Sequence, residues 1–274
     1  MLFRYYCPIG MSLREPASYL CPVGNYCPGG TAAPKPCPSN MMANYTGAHQ
    51  CQPCPAGYYC LMSGVPNKCT EGFYCPAGTG HDLRACPRGT IGTQKQYNKL
   101  QDCQPCPAGK YCANEHSTNA TGLCSPGFWC LYGVDRANPV GVNITSSNAT
   151  INETCPYYYD GRETGKGGKC PVGHYCPVGT SVPKSCQPGS YSPIEQLSAC
   201  YPCMAGYYCP YANMTDYHSY PCPYGHYCPN GTKTSNENPC LKGTYNDQTM
   251  RTMSGDCKSC APGRYCPVVG EFGK

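Results

Sequence analysis

Cysteine is the residue type through which this chain could do chemistry, and it fills 28 of 274 positions. Four Cys-x2-Cys pairs, Cys51/Cys54, Cys103/Cys106, Cys200/Cys203 and Cys257/Cys260, have the spacing of a zinc half-site or a thiol–disulfide exchange centre. Zinc requires reduced thiols. An exchange centre requires a helix N-terminus in a βαβ setting to lower a thiol pKa, and the sequence shows no such setting. The six histidines (His49, His81, His116, His174, His218, His226) form no i, i+4 pair and no His-Glu-x-x-His. Glycines sit singly in turns, so no phosphate-cradling loop exists. A Ser/His/Asp arrangement would need a rigid pocket between sizeable elements. No catalytic residue, metal ligand or cofactor site is expected, and the chain is not expected to be an enzyme. The chemistry left to its cysteines is the structural disulfide.

The element that must position them is a recurring phrase, Cys-x-x-Gly-x-aromatic-Cys. It stands at Cys21–Cys27, Cys54–Cys60, Cys69–Cys75, Cys106–Cys112, Cys124–Cys130, Cys170–Cys176, Cys203–Cys209, Cys222–Cys228 and Cys260–Cys266. Such repetition marks an array of units, each too small to bury a core alone. Glycine in the phrase suits a turn with φ > 0, proline directly after the first cysteine fixes an extended entry, and the aromatic favours a short strand. The expected fold is a set of small disulfide-rich repeats: an elongated array of short β-hairpins and turns, little or no helix, and no single hydrophobic core. At about 10 Å per unit, two strand spacings, fifteen units would give a rod on the order of 100–150 Å.

Composition agrees. Leu, Ile, Val and Phe together make 29 of 274 residues, about half the share a domain needs to offset its conformational entropy by burial. Fourteen possible disulfides, each stabilising by about 2–4 kcal/mol, would replace that burial. The aromatics of the phrase, Tyr26, Tyr59, Tyr74, Tyr111, Trp129, Tyr175, Tyr208, Tyr227 and Tyr265, are expected to pack on a disulfide and on the next unit; an exposed ladder that binds sugar or another subunit is the alternative. The formal net charge of +5 is spread thinly, with no basic cluster of the kind that binds nucleic acid.

Disulfide density requires an oxidising compartment. Seven Asn-x-Thr sequons, at Asn44, Asn119, Asn143, Asn148, Asn152, Asn213 and Asn230, exceed the roughly two that chance would supply and predict N-linked glycans. The expected location is extracellular or the cell surface. The first ten residues, MLFRYYCPIG, hold no signal-like apolar run, and the sequence shows no membrane span. Tyr6-Cys7-Pro8 reads like the second half of a phrase, so the polypeptide is expected to be longer.

A longer period lies above the phrase. The thirteen cysteines from Cys155 to Cys266 align with those from Cys7 to Cys112 at offsets of 148 to 154. The expected organisation is a partial unit at 1–36, six-cysteine modules at 37–85 and 86–130, a glycosylated insert or linker at 131–154, a partial unit at 155–185, a six-cysteine module at 186–239 and a truncated one at 240–274. For the insert, a flexible linker and an ordered bridge both fit. Units without a cysteine at the aromatic-Cys position suggest the bonds Cys37–Cys51, Cys86–Cys103, Cys186–Cys200 and Cys240–Cys257. Interleaved bonds Cys54–Cys69, Cys60–Cys75, Cys106–Cys124, Cys112–Cys130, Cys203–Cys222 and Cys209–Cys228 would complete the modules. Fifteen cysteines from Cys7 to Cys130 leave an odd one, for which a boundary-crossing Cys130–Cys155 bond is expected.

The alternation of CPRGTIG (Cys86), CQPGSYS (Cys186) and CLKGTYN (Cys240) with CxxCPAGYYC resembles the ephrin-receptor-like cysteine-rich repeat, with distant kinship to tumour-necrosis-factor-receptor modules. The resemblance covers nearly the whole chain outside 131–154. It implies extracellular disulfide-stapled rods, frequent in long surface proteins of single-celled eukaryotes, and no catalysis. The chain departs from the pattern at CPSNMMA (Cys37) and CPYYYDG (Cys155), where distorted units are expected. The expected role is a structural extracellular glycoprotein of a filament, appendage or coat that self-assembles or joins other extracellular structural proteins. A receptor or adhesin stalk is the alternative.

Overall fold

The computed structural model describes residues 4–10, 17–62, 64–140 and 166–270. Among them there is no α-helix, only three 3-10 turns, at Ala17–Tyr19, Leu100–Asp102 and Ser254–Asp256. The strands form ten two-stranded antiparallel hairpins, mostly two residues to a strand. In a typical one, Asn25–Tyr26 pairs with Lys35–Pro36, so the end of a phrase runs back beside the residues that precede the next leading cysteine. Among the described residues thirteen disulfides take the place of a core, and most of the buried apolar residues are cysteines. The array of small disulfide-rich hairpins is what the sequence indicates.

The bonds follow two rules. Each complete phrase closes on itself across its own turn: Cys21–Cys27, Cys54–Cys60, Cys69–Cys75, Cys106–Cys112, Cys124–Cys130, Cys170–Cys176, Cys203–Cys209, Cys222–Cys228 and Cys260–Cys266. The turn glycine, at φ +74° in Gly109 for example, reverses the chain and leaves Cys106 and Cys112 with Cα atoms 5.8 Å apart, an ordinary disulfide span. Where a phrase lacks its second cysteine, the leading one reaches further, as Cys37–Cys51, Cys86–Cys103, Cys186–Cys200 and Cys240–Cys257.

This corrects the interleaved scheme. Cys54–Cys69, Cys60–Cys75, Cys106–Cys124, Cys112–Cys130, Cys203–Cys222 and Cys209–Cys228 are not formed, because each of these cysteines already faces its own partner across a turn. Nor is Cys130 bonded to Cys155: it is held by Cys124, and Cys155 lies outside the described residues. The odd cysteine of the first fifteen is Cys7, an exposed thiol. Every disulfide among the described residues thus closes inside one unit.

Neighbouring units are joined instead by a repeated pair of backbone hydrogen bonds. The leading cysteine of each unit donates its N–H to the turn residue behind it, and that turn residue donates to the carbonyl six positions past the leading cysteine ahead. Cys124 N–H to Gly109 O (3.0 Å) and Gly109 N–H to Cys130 O (2.7 Å) are one instance. The pattern holds at each step from the unit at Cys21 to that at Cys260. The unit at Cys37 keeps it although Asn40 replaces the turn glycine. Asn40 adopts φ +79° and makes both bonds, to Cys54 and Cys60. The distortion expected there does not occur, because asparagine tolerates the left-handed region better than other side chains.

Candidate functional site: the surfaces an array presents

The Cys-x2-Cys pairs offer no thiol chemistry. In each, the first cysteine closes a long bond backward and the second opens the next phrase, as Cys103 to Cys86 and Cys106 to Cys112. Among the described residues no group of three or more His, Cys, Asp or Glu could hold a metal ion. The histidines are scattered: His116 stacks on Phe73 (5.6 Å between centroids), and His218 stacks on Tyr217 (4.3 Å).

The phrase aromatics pack as glue between units. Tyr26 lies against Cys37, Ala43 and Ala48, Tyr74 against Cys86, Tyr97 and Cys103, and Tyr111 against Cys124, Cys130 and Val134, each in the unit ahead. Trp129 adds a hydrogen bond from Nε1 to the Lys169 carbonyl at 3.2 Å. These rings are half-buried, so they serve cohesion first; Tyr265 is the exposed exception.

One aromatic cluster has no counterpart in the phrase. Tyr191 meets Tyr217 edge-on at 4.9 Å, Tyr217 meets Tyr207 likewise at 4.9 Å, and His218 lies over Tyr217. They pack around Cys203, Cys209 and buried Met214. Burial first, then Tyr217, Tyr201 and Asp216 close by, hold the Tyr191 phenol above its ordinary pKa. A hydrogen bond from the His218 ring, with another from its backbone N–H, holds Asp216 below the usual carboxylate range. The cluster places half-buried rings beside one exposed, anchored carboxylate. Single-residue spacing does not announce it, since it is assembled from three separate stretches; the run of tyrosines from Tyr201 to Tyr220 is the signal that was there to find.

The sequon asparagines Asn44, Asn119, Asn213 and Asn230 are all exposed, whereas Asn143, Asn148 and Asn152 lie outside the described residues. Asn230 also accepts a hydrogen bond at Oδ1 from Ala205 N–H (2.8 Å), which leaves Nδ2 for attachment.

The segment that carries the other three sequons does not divide the array. Phe128–Tyr132 pairs with Lys166–Lys169 in the longest hairpin among the described residues, with a register shift between Cys130 and Tyr132. Across it run the usual bonds, Cys170 N–H to Gly127 O and Gly127 N–H to Cys176 O, both 2.8 Å. The unit at Cys124 therefore bonds directly to the unit at Cys170, while residues 141–165, with the unit expected to begin at Cys155, lie outside the described residues.

Hairpin array, bond pattern and composition together define a cysteine-rich repeat protein. The chain is similar to cysteine repeat modular protein A of Toxoplasma gondii, with 27% identity over 291 residues, covering 84% of this chain. It spans 9% of that relative's length. No family model matches the chain.

Proposed function

We infer that this chain is part of an extracellular structural glycoprotein, a disulfide-stapled rod built into a surface filament, appendage or coat. The observation that carries this reading is the ladder of hydrogen bonds between units, which also joins the units on either side of residues 141–165. A repeat that meshes with the next copy of itself makes length, and length with a stapled interior suits a strut. Thirteen disulfides fit an oxidising location, and the exposed sequons support a glycan coat. Among the described residues no helix is long and apolar enough to cross a membrane. Kinship with the ephrin-receptor-like repeat rests on the phrase and its spacing, and supports the same role; self-assembly or other extracellular structural proteins are the expected partners.

The alternative, a receptor or adhesin stalk, has one observation in its favour. A polymer contact should recur once per long period, yet the Tyr191–Tyr207–Tyr217 cluster has Met42 and Gln52 where Tyr191 and Tyr201 stand one period later. Electron microscopy of the secreted, glycosylated protein, with and without cross-linking, separates the readings. Rods that join end to end or side by side at a regular step support the strut. Single rods that bind a partner and lose it on Tyr217→Ala support the stalk, and compact particles overturn both.

A further inference from the structure

Resting on the glycoprotein reading, we propose that the Asn213 glycan is a structural part of the fold, with its first sugar seated on the ring of Tyr211. Asn213 is held by the ladder: its N–H donates to the Cys186 carbonyl at 2.9 Å. Its own carbonyl lies so close to Gly173 that a Cβ there would come within 2.6 Å of it. It sits at φ +62°, which an asparagine adopts at a cost glycine would avoid. One period earlier this position is Gly64, at φ +62° as well, and Met62 stands where Tyr211 does. The strained asparagine and the tyrosine two residues before it occur together in the second copy only.

Tyr211 is 61% exposed, braced through one edge contact with Tyr220 at 5.9 Å, which in turn leans on Tyr208 at 5.6 Å. Two residues span at most about 7 Å, so a sugar joined directly to Nδ2 lies within reach of that ring. An N-acetylhexosamine carries a face of C–H groups, and such a face is attracted to the negative face of an aromatic ring. None of the other described sequons has this geometry: two residues before Asn44, Asn119 and Asn230 stand Met42, Ser117 and Cys228. Attachment joins Nδ2 to C1 of the sugar, with one amide proton lost and a polyprenyl diphosphate leaving from the lipid-linked donor. Buried Met214 and exposed Thr215 complete the sequon, so Thr215 can be changed without disturbing the ladder.

The experiment uses the full chain secreted from a glycosylating host, with Asn213 occupancy read by peptide mass mapping. Amide exchange at Asn213 is then compared in the parent, Tyr211→Ala, Thr215→Ala and the double variant. Tyr211→Ala is expected to speed exchange about three- to tenfold when the glycan is present, and less than twofold in the Thr215→Ala background. Trimming the glycan to a single N-acetylglucosamine should leave the parent unchanged. Equal effects of Tyr211→Ala in both backgrounds would overturn the stacking while leaving the glycoprotein reading intact. An unmodified Asn213 in the parent overturns the glycan at this site, and the proposal with it.

Discussion

The unit at Cys54 and the unit at Cys203 occupy the same place in successive periods, share their turn glycine conformation and close the same six-residue bond. Their surfaces differ. In the first, Tyr58–Cys60 pairs with Pro66–Lys68 over three residues. In the second, the segment between Cys209 and Cys222 is four residues longer than that between Cys60 and Cys69. The hairpin shrinks to the single bridge Tyr207↔Pro221, and the longer loop brings in tyrosines that meet their neighbours edge-on. The scaffold spends its fixed positions on cysteine, on left-handed residues and on the carbonyls they meet. What lies between is free to change length and chemistry without cost to the ladder. Individuality in this molecule therefore resides in loops, and sameness in the staples.

The strongest way to break the comparison is reduction. If both copies depend on their bonds alike, full reduction should abolish ordered structure in both, read as uniform loss of amide protection across 21–112 and 170–266. A copy that stayed protected would own a core the other lacks.

Next comes the turn. Gly109→Ala would place a methyl group 2.4 Å from the Gly179 carbonyl at φ +74°, and should destabilise its unit by on the order of 1–3 kcal/mol. Asn40→Gly, at a turn that already carries a side chain, should be neutral or slightly stabilising. Exchange at the Cys124 and Cys54 amides, which donate to these two turns, measures both.

Tyr217→Ala removes two edge contacts and should cost about 1–2 kcal/mol in the second copy, while Lys68→Ala in the first should be silent in the same melt. A smaller effect is expected at a carboxylate near the end of the second period. Backbone N–H groups of Thr252 and Met253 hold Asp256 below its ordinary pKa. Its contribution is complete above the usual carboxylate range and is lost as the pH falls through the lowered value. The Asp256→Asn protein should show a flatter decline in protection of the Thr252 amide between pH 5 and pH 2. Smallest of all, replacing residues 141–165 by a short turn should leave the Cys170 amide protected, since its ladder bonds do not involve that segment.

The staple-for-core economy was open to reading from cysteine and aliphatic counts, and the hairpin from the order Cys-Pro-x-Gly. The long bonds were legible too, because a phrase without its second cysteine leaves the leading one in need of another partner. The short bonds were misread. Six residues look too few to close on themselves unless the glycine's positive φ is given its full geometric weight, as at Gly57 and Gly206. Equally hidden were the second left-handed sites, filled at Gln96, His116, Gln196, Asn213 and Met250 by residues that do not advertise them. Those conformations are imposed by ladder bonds to cysteine carbonyls such as Cys69, Cys86 and Cys170, which are contacts between units. The aromatic cluster escaped for the same reason: its members meet only once neighbouring units are in place.

Because no disulfide among the described residues passes from one unit to another, a tug on the two ends of the array is resisted there by hydrogen bonds and ring contacts. Each six-residue bond would stay tied as a knot while the thread between knots ran out. Stretched, the molecule should lengthen in small equal steps and rewind once released, its knots preventing the chain from ever being drawn out straight.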